Sequence, residues 1–171
     1  MSKHDSMNYL LWCFSKDTGI RIVAPSEKLE MAYREKSKMA LKSMECNRRE
    51  GIAEWVISTG YYAKYFIVYA LFVKLGVKSE IHSCTIALFE YLVGEDLPAS
   101  LVQNFRRSKE DRIETQYYPL TAELDPDDVA IETRAFVLEV ERLLDSLTAT
   151  RIAQLQRKLH DLQEKRGEEG R

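Results

Sequence analysis

Four cationic side chains, Arg106, Arg107, Lys109 and Arg112, fall within seven residues near a helix start, and Tyr117 follows shortly after. Guanidinium groups grip phosphate oxygens two at a time, so this segment is the first candidate for a nucleotide or RNA contact. Glu110 and Asp111 lie among these cations, which keeps open the plainer reading of a solvated, partly neutralised helix face. Arg48 and Arg49 form a smaller second pair. Tyr61, Tyr62, Tyr65 and Tyr69 are crowded into nine residues. Bases stack on such rings, but on an apolar helix the rings read first as core and interface packing, with hydroxyls reaching partners at the rim. Met31, Met39 and Met44 read as core filler.

Other chemistries lack their residues. The three histidines, His4, His82 and His160, stand far apart without metal-ligand spacing, so neither metal nor cofactor is expected. His82 comes shortly after Gly76 and just before a helix, which suits a capping or interhelical hydrogen bond. Cys13, Cys46 and Cys84 form no CxxC pair and read as three reduced, mostly buried thiols. There is no Gly-rich phosphate loop, no HExxH and no GxSxG elbow, so the common hydrolase and dehydrogenase sites are excluded and no catalytic residue is assigned. A net charge of −2 gives no global basic field, so any anion must be met by a local patch. The apolar run Tyr9 to Phe14 is too short for a leader or a span, and Trp55 to Val77 is interrupted by Lys64 and Lys74. A cytoplasmic protein without a membrane role is expected.

The elements that must position these groups are helical. Alternation of the strand type is nearly absent; only Ile20 to Ala24 looks extended, too short to build a sheet. A short helix is expected over 5–15. Ser26 caps a first long helix that ends near Cys46, with Leu29, Tyr33, Ala40 and Met44 at helical spacing. A second helix runs from about Asn47 to Leu75, closed by Gly76. Its charges Glu54, Lys64 and Lys74 share no stripe, so it is apolar over most of its circumference and sits centrally, against a second copy, or both. A third helix spans about Ser79 to Val93. Pro98 opens the next, which Ser108 and Asp111 could restart by a capping box and Pro119 closes after Tyr118. Asp125 and Pro126 open the last helix, with an apolar stripe through Leu147. Beyond Thr148 the phase changes, and Ile152, Leu155, Leu159 and Leu162 form a short seam that docks on the bundle or on a twin. The chain thus divides into a lead (1–25), a helical bundle (26–147), and a helical extension with a frayed polar tail from Gln163 (148–171).

The segment Gly60 to Leu92 resembles the prokaryotic branch of the HEPN superfamily. The positions that carry the likeness are Tyr61, Tyr62, Ala63, Tyr65, Phe66, Ala70, Leu71, Gly76, His82 and Ser83. Trp12-Cys13 with Pro25, and Arg112 with Tyr117, extend it toward both ends. The resemblance implies an all-α, up-and-down bundle of four to five helices, often dimeric. It implies binding of nucleotide or RNA and pairing with a small nucleotidyltransferase, as in toxin–antitoxin systems. Ribonuclease members use an arginine followed within a few residues by a histidine, which would move the 2′-hydroxyl proton while the arginine holds the phosphate. Here Arg112 meets Tyr117 instead, and a tyrosine with a pKa of about 10 is a poor base at neutral pH. Binding without cleavage is therefore the inference. A helical dimerisation protein and a ribonuclease with a non-standard base are the alternatives.

Overall fold

A helix that is apolar on every side has to be wrapped, and the wrapping of one helix organises this chain. The computed structural model describes residues 3–117 and 124–169. These form α1 (Lys3–Phe14), β1 (Ile20–Ile22), α2 (Glu27–Arg49), α3 (Ala53–Leu75), β2 (Val77–Ser79), α4 (His82–Val93), α5 (Ala99–Tyr117), α6 (Pro126–Ser146) and α7 (Ala149–Glu169). The fold is all-α. Helix α3 is its axis, packed against α2, α6 and α5, with α7 touching it near its end.

Most of α3 is buried, from Val56 to Leu75. It is long and apolar enough to cross a membrane by length and composition, yet 83% of its apolar window is covered within the bundle. The apolar surface that suggested a twin along this helix is therefore used internally. Near its midpoint Phe89, Phe105 and Phe136 meet from α4, α5 and α6, with Phe105 and Phe136 centroids 5.2 Å apart. Fully burying each such ring contributes about 1.5–3 kcal/mol.

Local signals set most boundaries. Ser26 Oγ accepts from Leu29 N, and Asp125 Oδ1 accepts from Asp127 N, each capping its helix as the sequence predicts. Gly76 ends α3 with φ 77°, and a Cβ there would lie 2.6 Å from the Val23 carbonyl oxygen. Other boundaries moved. Residues 47–49 finish α2 instead of starting α3, because Gly51 turns the chain with φ 72°. The third helix starts at His82 instead of Ser79, and Val77–Ser79 form β2, which pairs antiparallel with β1 in the register Ile20↔Ser79 and Ile22↔Val77. The extended piece thus builds a small sheet after all, since Gly76 delivers a partner strand beside it. Ser108 restarts nothing: it is buried inside a continuous α5 and bonds the Phe105 carbonyl. Tyr118 and Pro119 lie outside the described residues. Thr148 Oγ1 caps α7 by accepting from Arg151 N, which explains the phase change. Helix α7 continues through Glu169 instead of ending at Gln163, in a stretch rich in good helix formers. Its Leu155, Leu159 and Leu162 are buried in the chain's own core, and α7 packs against α1.

Three further expectations are corrected. Cys13 and Cys84 form a buried disulfide that ties α1 to α4, and only Cys46 is free. The pairing follows from the packing of two helices 71 residues apart in sequence, which no spacing rule reveals. Of the methionines read as core, Met44 is buried, but Met31 and Met39 stand exposed on α2. Lys64, counted as one of three scattered charges, is almost fully buried on α3, where its amine donates to Asn104 Oδ1 at 2.6 Å.

Burial pushes the Lys64 amine down to about 8, opposed by the negative charges of Glu132 and Asp111. Above this value the folded protein releases a proton that the unfolded chain still holds, so Lys64 makes stability rise as pH rises. Urea denaturation between about pH 8 and 9.5 should show this slope in the wild type and lose it in Lys64→Met. For the disulfide, the chain-entropy model gives about 4 kcal/mol for a loop of this length. Cys13→Ser with Cys84→Ser should therefore lower the unfolding free energy by roughly that amount.

Candidate phosphate-binding site

Gly76 and the short β2 set the position of the α4 start, and with it the first residue of α4, His82. The buried Ser79 of β2 is held from α3: its N–H donates to Tyr69 Oη at 3.3 Å, and its carbonyl accepts from Tyr65 Oη at 3.4 Å. These bonds fix α4 against the tyrosine face of α3. The His82 ring then lies on Tyr65, with centroids 4.4 Å apart and planes 14° from parallel. His82 Nδ1 is 2.6 Å from Tyr61 Oη. The interhelical bond expected of His82 is thus present, while the α4 cap position is Ile81 and has no side-chain cap.

From the other side, α5 brings Arg112. Its Nη1 donates to Tyr62 Oη at 2.8 Å, and its guanidinium carbon lies 5.5 Å from both the Tyr61 and Tyr62 ring centroids. Such stacking favours a cation by about 0.5–2 kcal/mol. Among the described residues no carboxylate pairs with Arg112, and its buried Nε has no hydrogen-bond partner. The cluster is therefore a half-buried cation held by two phenol rings, beside a histidine and without an anion.

The electrostatics follow from this placement. Burial pushes the Tyr61 hydroxyl well above its ordinary value, so it stays protonated. Burial lowers His82 below its usual value, and the positive charges of Arg112 and Lys109 lower it further. Neutral His82 with Tyr61 as donor accepts at Nδ1 and carries its proton on Nε2. In that state it offers a hydrogen-bond donor, not a base.

The remaining candidates disperse. Helix geometry fans the α5 cations around the axis. Arg106 pairs with Glu90 of α4, and Arg107 faces Asp111 at 3.7 Å. Lys109 is half-buried and has no carboxylate partner among the described residues. Tyr117 stands 71% exposed at the α5 end, without a hydrogen bond to Arg112. Arg48 is committed to Glu45 and Asp127, both at 2.6 Å. Ala63 is buried, and its carbonyl accepts from Ser37 Oγ at 2.8 Å. Phe66 stacks on Tyr62 at 5.9 Å, and Ser83 lies beside His82 on α4. His160 is exposed on α7, and the His4 side chain lies outside the described residues. Among the described residues no group of acids, histidines and cysteines could hold a metal.

The meeting of Arg112 with His82 was not foreseen from sequence. One signal was present: Arg106 and Arg107 each have an acid four residues on, Glu110 and Asp111, whereas Arg112 has none at helical spacing on either side. A cation on a crowded helix without a local acid needs a partner elsewhere.

Because folding lowers the pKa of His82, its contribution to stability is present above about pH 6.5, the unfolded value, and fades as pH falls through the folded value. Proton NMR should place the His82 midpoint below the ordinary imidazole value of about 6.5, and Arg112→Ala should move it upward. An unchanged midpoint would show that the two side chains do not sense each other.

No curated protein matches the chain. The family model for the HEPN domain matches residues 31–161, from within α2 to within α7, and so takes in Tyr61, Tyr62, His82 and Arg112. The match covers most of the sequence on an all-helical fold, and the chain belongs to the HEPN domain family.

Proposed function

We propose that this chain binds a nucleotide or RNA through phosphate contacts at Arg112, His82 and Tyr62, and does not cleave it. HEPN domains are known for nucleotide- and RNA-related function. The observation that carries the reading is the half-buried Arg112 guanidinium, which lacks any carboxylate among the described residues and has a buried Nε without a partner. A buried charge left unpaired is costly, and a phosphate oxygen supplies the missing acceptors with the strength of charge-assisted bonds. Lys109 adds positive charge nearby, and neutral His82 adds an Nε2 donor. Cleavage is disfavoured because no histidine follows Arg112 within a few residues, where Tyr117 stands instead.

Fluorescence anisotropy with labelled RNA, and calorimetry with ATP, test this at low salt. Arg112→Ala should weaken binding at least about tenfold, since hydrogen bonds to charged groups contribute about 1.5–3 kcal/mol. Arg107→Ala, already paired with Asp111, should stay within about twofold. Equal affinity in the wild type and Arg112→Ala would remove the cluster as the site. RNA incubated with the protein should remain intact; cleavage that disappears in His82→Ala would assign the ribonuclease reading instead.

The same reading includes a protein partner, either a second copy of the chain or a small nucleotidyltransferase, in a toxin–antitoxin setting. Exposed apolar side chains support it: Leu29, Met31 and Met39 on α2, and Ile131 and Leu138 on α6. Light scattering at micromolar concentration should report a dimer, and Met39→Glu should shift it toward monomer. A strict monomer would leave only the unlike partner.

A further inference from the structure

A groove of about 640 Å³ runs between α4 and α5, walled by α1 and α7; no α3 residue lines it, and of the groups around Arg112 it shares Lys109. Its volume lies within the range of roughly 300–1,000 Å³ that suits a small molecule. Leu10, Ile86, Ala87 and Val102 provide apolar walls, with Tyr9 and Tyr91 beside them. The charges along it are sorted by depth. Glu90, Glu95 and Glu110 are exposed to solvent, and Glu90 is already paired with Arg106. Lys109 and Lys158 are half-buried. Lys158 lies 5.9 Å from the Tyr91 ring, and neither lysine has a carboxylate partner among the described residues.

That sorting determines what fits. Two half-buried lysines without a carboxylate partner among the described residues line an apolar groove, and charge complementarity favours an anion there. The hydrated acids at the rim repel a ligand of high negative charge, which sets a nucleic-acid backbone at a disadvantage. We propose that the groove is a second binding site, for a small organic monoanion such as an aryl- or alkyl-carboxylate. Its apolar body lies along Ile86, Ala87 and Val102, and its carboxylate meets Lys109 and Lys158. The site does not depend on Arg112.

Calorimetry with 4-phenylbutyrate and its neutral amide, 4-phenylbutanamide, tests the proposal on the full chain. The acid should bind, and the amide should bind at least about tenfold more weakly, the difference expected for a charge-assisted contact. The double variant Lys109→Gln, Lys158→Gln should erase the preference for the acid. Ala87→Phe, which fills the groove, should abolish binding, with circular dichroism confirming its fold. If that variant does not fold, the double lysine variant decides. Arg112→Ala should bind the acid as the wild type does, which separates this site from the one proposed above. No binding of the acid at millimolar concentration would overturn the proposal. So would equal affinity for acid and amide, or an unchanged acid preference in the double lysine variant.

Discussion

The constraint on which everything else rests is the absence of a polar stripe on α3. A helix with one wet face can lie at a surface; one without it must be enclosed. Here α2, α5 and α6 enclose it with most of their apolar residues, while Leu29, Met31 and Met39 of α2 and Ile131 and Leu138 of α6 stay exposed. The buried Lys64 shows how complete the enclosure is: a side chain with a charged end sits inside, held by Asn104.

Enclosure also places the functional groups. Tyrosine can be buried on such a helix only if its hydroxyl finds a partner, and each of the four α3 tyrosines finds one from another element. Tyr61 bonds His82, Tyr62 bonds Arg112, and Tyr65 and Tyr69 hold Ser79. The same bonds that satisfy the core therefore fix the first turn of α4 and the middle of α5 against each other. Packing need and site geometry are one set of contacts.

Outside this axis the structure is fastened by a covalent link and surface charge pairs. The Cys13–Cys84 bond holds α1 against α4, and α7 covers α1 from the other side. Glu30, Arg34, Lys74 and Asp145 join α2, α3 and α6, and Glu45, Arg48, Arg134 and Asp127 join α2 to α6 further along. The pairs around Arg48 and Arg134 are partly exposed and contribute little individually, whereas Glu30 is buried between Arg34 and Lys74; together they set the register of α2 on α6. The groove between α4 and α5 exists because those two helices touch sparsely where α1 and α7 close over them.

The sequence by itself determined the helical class, the caps at Ser26 and Asp125, the stop at Gly76 and the central place of α3. Each is a local property, decided within a turn or by periodicity along one helix. It also held the resemblance around Tyr61 to His82 and the lack of a histidine soon after Arg112. Only the tertiary structure decided that Cys13 reaches Cys84, that Val77–Ser79 pair with Ile20–Ile22, and that Arg112 shares the Tyr61–Tyr62 face with His82. It likewise divided the cations of α5 among different neighbours. Those outcomes depend on which helix faces meet across tens of residues, and that is set by the packing of side chains in three dimensions, where no local spacing rule reaches.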